Sequence, residues 1–151
     1  MNSCKHYFFR FNYIKKDRGY LQRMPYRRDD NTIFLSIVSY RDDMCLPTIR
    51  GAFKKAENPE KLSVGIVQQN FEKNCKGGHM KNDKYMDVKP DEDCHKVFCD
   101  SPEGKPHCDA DRIHALHIGE DQALGPYLAR YFASKIWHGE QWYMQVSEYK
   151  L

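Results

Sequence analysis

Thr32–Asn70 reads TIFLSIVSYRDDMCLPTIRGAFKKAENPEKLSVGIVQQN, and its hydrophobic period switches twice, which sharply restricts the folds open to the chain. Ile33, Phe34, Leu35, Ile37 and Val38 form a short β-branched and aromatic run of the kind a buried strand carries. Ser39–Asp43 is polar, as expected where a strand gives way to a loop. Asp42 or Asp43 is placed to cap a helix, and Pro47 suits that helix's first turn, where a missing N–H costs nothing. Leu46, Ile49, Phe53 and Ala56 then recur at helical spacing, and Asn58-Pro59 stops the pattern. Leu62, Val64, Ile66 and Val67 make a second strand. Strand, helix and strand at these distances predict a βαβ unit: two parallel strands joined by a right-handed crossover, in an α/β fold.

Ligands of open parallel sheets bind beyond the carboxyl ends of the strands. Ser39, Tyr40, Arg41 and Asp42 stand at one such end, and Gln68, Gln69 and Asn70 at the next. The same residues are equally readable as solvated loop positions.

A chain of 151 residues can bury one core, and 13% aromatic content argues against disorder. The net charge of +3 is small and dispersed, unlike the concentrated basic face of a nucleic-acid binder. Lys5, His6, Arg10, Lys15 and Lys16 interrupt every early apolar run, so the start does not read as a secretory signal. No segment approaches the length of a membrane span. A cytoplasmic protein with mostly reduced cysteines is the expectation.

Residues 1–30 read as a basic, tyrosine-rich extension, and 31–151 as the domain. The extension is acid-poor like a mitochondrial presequence, but its scarcity of serine and lack of amphipathic period speak against that role. Between Phe71 and Arg112 the apolar period vanishes, and Gly77-Gly78, Pro90, Pro102 and Pro106 suggest a long loop inserted in the domain. This 71–112 insert holds Cys75, Cys94, Cys99 and Cys108, with His79, His95 and His107 among them. Free thiols suit a reducing compartment, a disulfide-tied loop needs an oxidising one, and a zinc site is compatible with the ligand types. Against zinc, the cysteines include no Cys-x-x-Cys pair and are irregularly spaced.

Periodicity returns with Ile113, Ala115, Leu116 and Ile118, a third strand. Gly125-Pro126 has the form of a helix start; Leu124, Leu128, Tyr131, Phe132 and Ile136 give that helix an apolar face, and His138-Gly139 ends it. Trp142–Val146 is a fourth strand, so the strand–helix–strand pattern repeats. The start of the second helix points partial positive charge beyond the sheet, Gly125 permits close approach, and Arg130 adds a cation one turn on. An anionic phosphate suits this arrangement. Arg130 is equally suited to pairing with an acid such as Asp121.

Taken together, Ser36-Ile-Val-Ser-Tyr-Arg-Asp42, Leu46-Pro-Thr-Ile49, Ala56-Glu-Asn-Pro-Glu60, Val64-Gly-Ile66 and Gln69 form one block. Ala123-Leu-Gly-Pro126, Ala129-Arg-Tyr131, Lys135-Ile-Trp-His-Gly-Glu140 and Tyr143-Met-Gln-Val146 form a second. In order and content they resemble a family of N-acetylglucosaminyltransferases typified by the cytoplasmic enzyme that glycosylates hydroxyproline on a ubiquitin-ligase adaptor. The resemblance implies a GT-A (Rossmann-like) fold, with a mostly parallel sheet flanked by helices. It further implies transfer of N-acetylglucosamine from UDP-GlcNAc to a protein hydroxyl on hydroxyproline, serine or threonine. Manganese or another divalent cation would bridge the donor diphosphate. By the same resemblance Ser39, Tyr40, Arg41 and Asp42 would lie against the uridine, and Gly125 and Arg130 near the phosphates.

The resemblance breaks after Val146. The family carries an aspartate-containing metal motif of the form Q-I-D-S-H there, whereas this chain has Ser147 at the aspartate position, with Glu148 one step out of phase. A serine hydroxyl is a poor substitute for a carboxylate ligand. The expectation is therefore a shortened family member, incomplete at its C-terminus, with no catalytic residue assigned and impaired transfer. A non-catalytic module that binds UDP or a protein is the alternative.

Overall fold

The computed structural model describes residues 26–71 and 89–147. The early extension, Cys75, His79 and Glu148 lie outside these residues.

Four strands form one all-parallel sheet: β1 (Ile33–Tyr40), β2 (Leu62–Asn70), β3 (Ile113–Gly119) and β4 (Trp142–Ser147), in the order β3-β2-β1-β4. β1 and β2 pair from Ile33↔Leu62 to Tyr40↔Gln69, the parallel pairing that the βαβ pattern implies. Both are central and covered on both sides, which is why their apolar residues run continuously instead of alternating with polar ones.

One side of the sheet packs Leu35, Ile37, Val64, Ile66 and Ile113 against α1 (Cys45–Lys55), through its Cys45, Leu46, Ile49 and Phe53. α1 has Met44 at its N-cap with no side-chain cap. Asp42 Oδ1 instead accepts from Met44 N–H at 2.9 Å, so the aspartate shapes the approach to the helix rather than capping it. A 3-10 turn, Pro59–Lys61, delivers the chain to β2.

The insert is where the sequence expectation fails. Its described part carries two short helices, α2 (Cys94–Asp100) and α3 (Lys105–Asp109). Asp93 caps α2 by accepting from Lys96 N–H, and Cys94 and Phe98 bury one turn apart. Helices this short hold one or two buried turns, too few for a period to stand out among prolines and charges. The free-thiol reading also fails here: Cys45 is bonded to Cys94, and Cys99 to Cys108. The first disulfide ties α1 to α2, and the second ties α2 to α3. Phe98 stacks on Phe53 at 5.7 Å between ring centroids, so the insert extends the core of the α1 side.

The opposite side carries α4 (Pro126–Lys135), whose Ala129 and Ala133 lie on Val67 with Val38, Leu116, Ile118, Phe132 and Ile136 around them. α4 stops at Lys135, three residues before His138-Gly139, and Gly139 turns the chain at φ 92°. Gly65 belongs to this side as well. A Cβ there would lie 2.2 Å from Cζ of the fully buried Phe34, so only glycine leaves space for the tip of that ring.

Candidate functional site

β1 and β2 end level with one another, so their last residues form a common edge. Ser39 is paired with Gln68, and Gln68 with His117. Lateral neighbours in a sheet project to the same face. Ser39, Gln68 and His117 therefore form a polar row across three strands on the α1 side, with Ser39 and Gln68 almost fully buried. Gln68 is saturated: its Oε1 accepts from His95 N–H at 3.1 Å and lies against Cys94 Sγ. Its Nε2 donates to Asp93 Oδ1 at 3.0 Å and approaches His117 Nδ1 at 3.2 Å. A buried amide this well partnered holds the insert on the sheet.

Arg41 follows directly, in a left-handed conformation at φ 51°. Its N–H donates to Gln69 O, its Nε to Asp91 Oδ2 at 3.0 Å, and its other guanidinium arm to Glu120 Oε2 at 3.0 Å. Burial opposes its charge, but the hydrogen bond and charge of Asp91, with the charge of Glu120, more than offset that and raise its pKa. Asp91 Oδ2 also accepts from Phe71 N–H, and Asp91 N–H donates to Phe71 O. Arg41 thus clamps the two ends of the segment between Phe71 and Asp91, with its guanidinium 5.4 Å from the Phe71 ring centroid.

The other residues singled out in the sequence fall nearby or across the sheet. Tyr40 is half exposed at the tip of β1, on the face opposite Ser39. Gly125 is the N-cap of α4 at φ 87°, with open space around its missing Cβ; backbone conformation, not crowding, calls for glycine there. Arg130 sits on α4 with its guanidinium 5.9 Å from the Tyr127 ring centroid. α4 places both residues on the opposite side of the sheet from Gln68 and His117. Leu124 and Tyr127 stand largely exposed beside the helix start.

Buried Glu140, from the Lys135–Glu140 motif, has a structural task. It accepts from His138 N–H at 3.0 Å and faces Arg28, while Trp137 Nε1 donates to its carbonyl. Arg28 N–H donates to Gly139 O, so the end of the extension is docked against this turn.

Asp93, His95 and His117 each offer a ligand atom within 4.8 Å of the others. Burial lowers the pKa of His95, Asp93 opposes that, and the charges of His117 and His114 add to it. His117 was not singled out in the sequence. Its signal is a polar residue in phase with Ile113 and Ala115, on the buried side of β3.

A glycosyltransferase (GlcNAc) family model matches residues 32–150. The chain belongs to that family. No curated protein and no solved structure matches it. In this GlcNAc-glycosyltransferase domain, Ser147, which stands where the sequence resemblance would put a metal-binding aspartate, ends β4 in register with Val38. A hydroxyl at that position does not suit manganese, which takes carboxylate oxygens. Among the described residues, no helix is long and apolar enough to cross a membrane.

Proposed function

We propose that this domain binds a nucleotide-sugar donor, UDP-GlcNAc, at the carboxyl edge of β1 and the start of α4, and serves transfer of N-acetylglucosamine to a protein hydroxyl. The observation that carries this reading is the family match over residues 32–150, joined to a parallel sheet whose β1 end and α4 start bear Tyr40, Asp42, Gly125 and Arg130, while Ser39 is buried on the other side of β1. The free N–H groups of a helix start and an arginine one turn on are suited to a diphosphate. Arg41 contributes indirectly, by holding the β1 tip and the insert in place. No step is assigned to a metal, since Ser147 does not supply the carboxylate such a step needs.

Ser147 also favours a second reading, in which the domain binds UDP or a protein without catalysing transfer. The disulfides Cys45–Cys94 and Cys99–Cys108 support an oxidising compartment over the reducing cytoplasm.

Calorimetric titration of the folded chain with UDP, with manganese and then with EDTA, tests the reading. Binding near the micromolar range, worth about 8 kcal/mol, supports a formed donor site. Equal affinity with and without metal supports the non-catalytic form. No heat from a folded chain would remove the donor-binding reading.

A further inference from the structure

We propose that Asp93, His95 and His117 form a zinc site that locks the insert to the carboxyl end of β3. The site is independent of the donor reading. It also lies apart from the metal position implied by the family motif: β3 and β4 are opposite edges of the sheet, three strand spacings or about 14 Å apart.

Two imidazoles and a carboxylate are a donor set that zinc accepts, usually with water in the fourth position. Zinc holds nitrogen and oxygen at about 2.0–2.2 Å, so neighbouring ligand atoms in a tetrahedron lie about 3.4 Å apart. Asp93 Oδ2 and His117 Nδ1 are 3.8 Å apart, and all three ligand atoms fall within 4.8 Å; small side-chain rotations close the remainder.

The two oxygens of Asp93 are divided in a way that suits this role. Oδ1 accepts from Lys96 N–H and from Gln68 Nε2, which fixes the carboxylate, while Oδ2 is turned toward His117. Gln68 also accepts from the backbone N–H of His95, so one buried amide orients the segment carrying two ligands and touches the third. Such outer-shell support is typical of metal sites. A metal on His117 Nδ1 would displace only the 3.2 Å contact to Gln68 Nε2, which keeps its bond to Asp93. The side chains of His117 and Asp93 are 36% and 39% exposed, enough for the ion to enter and for a water to complete its shell.

The test uses the full chain, freed of metal by chelator dialysis and titrated with zinc and, separately, cobalt. One zinc per chain is expected, with a rise in Tm. Cobalt should give weak visible bands and no strong near-ultraviolet sulfur band. His95→Gln with His117→Gln should weaken zinc binding by at least about a hundredfold. Asp93→Asn keeps an oxygen for the α2 cap, so it should retain the fold while losing affinity and the zinc-induced rise in Tm. Absence of binding at about 100 μM zinc, or binding undiminished in these variants, would overturn the proposal. A cobalt–sulfur band would overturn it as well, by placing the metal on cysteine.

Discussion

The two sides of the sheet are built differently. The α1 side is deep and cross-linked: Ile37, Ile49, Val64, Ile66 and Phe98 are essentially fully buried, and two disulfides bind α1, α2 and α3 to one another. The α4 side rests one helix on the sheet through two alanines, with Phe132 and Ile136 only partly covered and Leu124 and Tyr127 exposed. The difference teaches where this small domain places its stability. Loops and elements that accept ligands are drawn from the less stable parts of a fold, and the proposed donor edge includes the start of α4.

The contrast is sharpest at Phe98, which stacks on Phe53 beneath the insert. Phe98→Ala should cost about 3–5 kcal/mol in denaturant unfolding, by leaving a cavity in the α1-side core. A cost below about 1 kcal/mol would mean that the insert contributes little to that core.

Removing the Cys45–Cys94 bond should come next. It closes a loop between residues 49 apart, and releasing it as Cys45→Ala with Cys94→Ala should cost about 2–4 kcal/mol. Reductant should then lower the Tm of the double variant less than that of the parent chain.

On the α4 side, Ile136→Ala should cost only about 1–2 kcal/mol, because the side chain is half covered. Equal losses for Ile136→Ala and Phe98→Ala would break the comparison.

The smallest effect expected is with pH. Burial, together with the charge of Arg112, lowers the pKa of His107, which stacks 4.0 Å from the Phe53 ring. His114 is also lowered, by burial first and then by His138, with Asp111 and Glu140 opposing. Between the depressed folded values and the unfolded value near 6.5, the unfolded chain binds more protons, so acidification favours unfolding. As the pH rises well past about 6.5, both histidines become neutral in both states and the effect fades. Tm should fall from pH 7.5 to 5.5, and fall less in His107→Phe.

Legibility in the sequence follows the same division. β1, α1 and β2 are readable because each is long enough to show its period, and Gly125-Pro126 marks the start of α4 by its chemistry. α2 and α3 are not, because their order comes from disulfides and one aspartate cap, and pairing of cysteines across 49 positions leaves no local pattern. Ser39 and Gln68 were identifiable as strand ends, but their alignment with His117 depends on the β2–β3 register. Arg41 was visible as a charged residue at a strand end. Its partners Asp91 and Glu120 are brought to it only by the fold.

The most direct test of donor binding at the carboxyl edge is amide NMR of the labelled chain during a UDP titration. The expected result is saturable shifts at Tyr40, Asp42, Gly125 and the first turn of α4, weakened in Arg130→Ala. Shifts confined to other surfaces, or none at millimolar UDP in a folded chain, would contradict a donor site there.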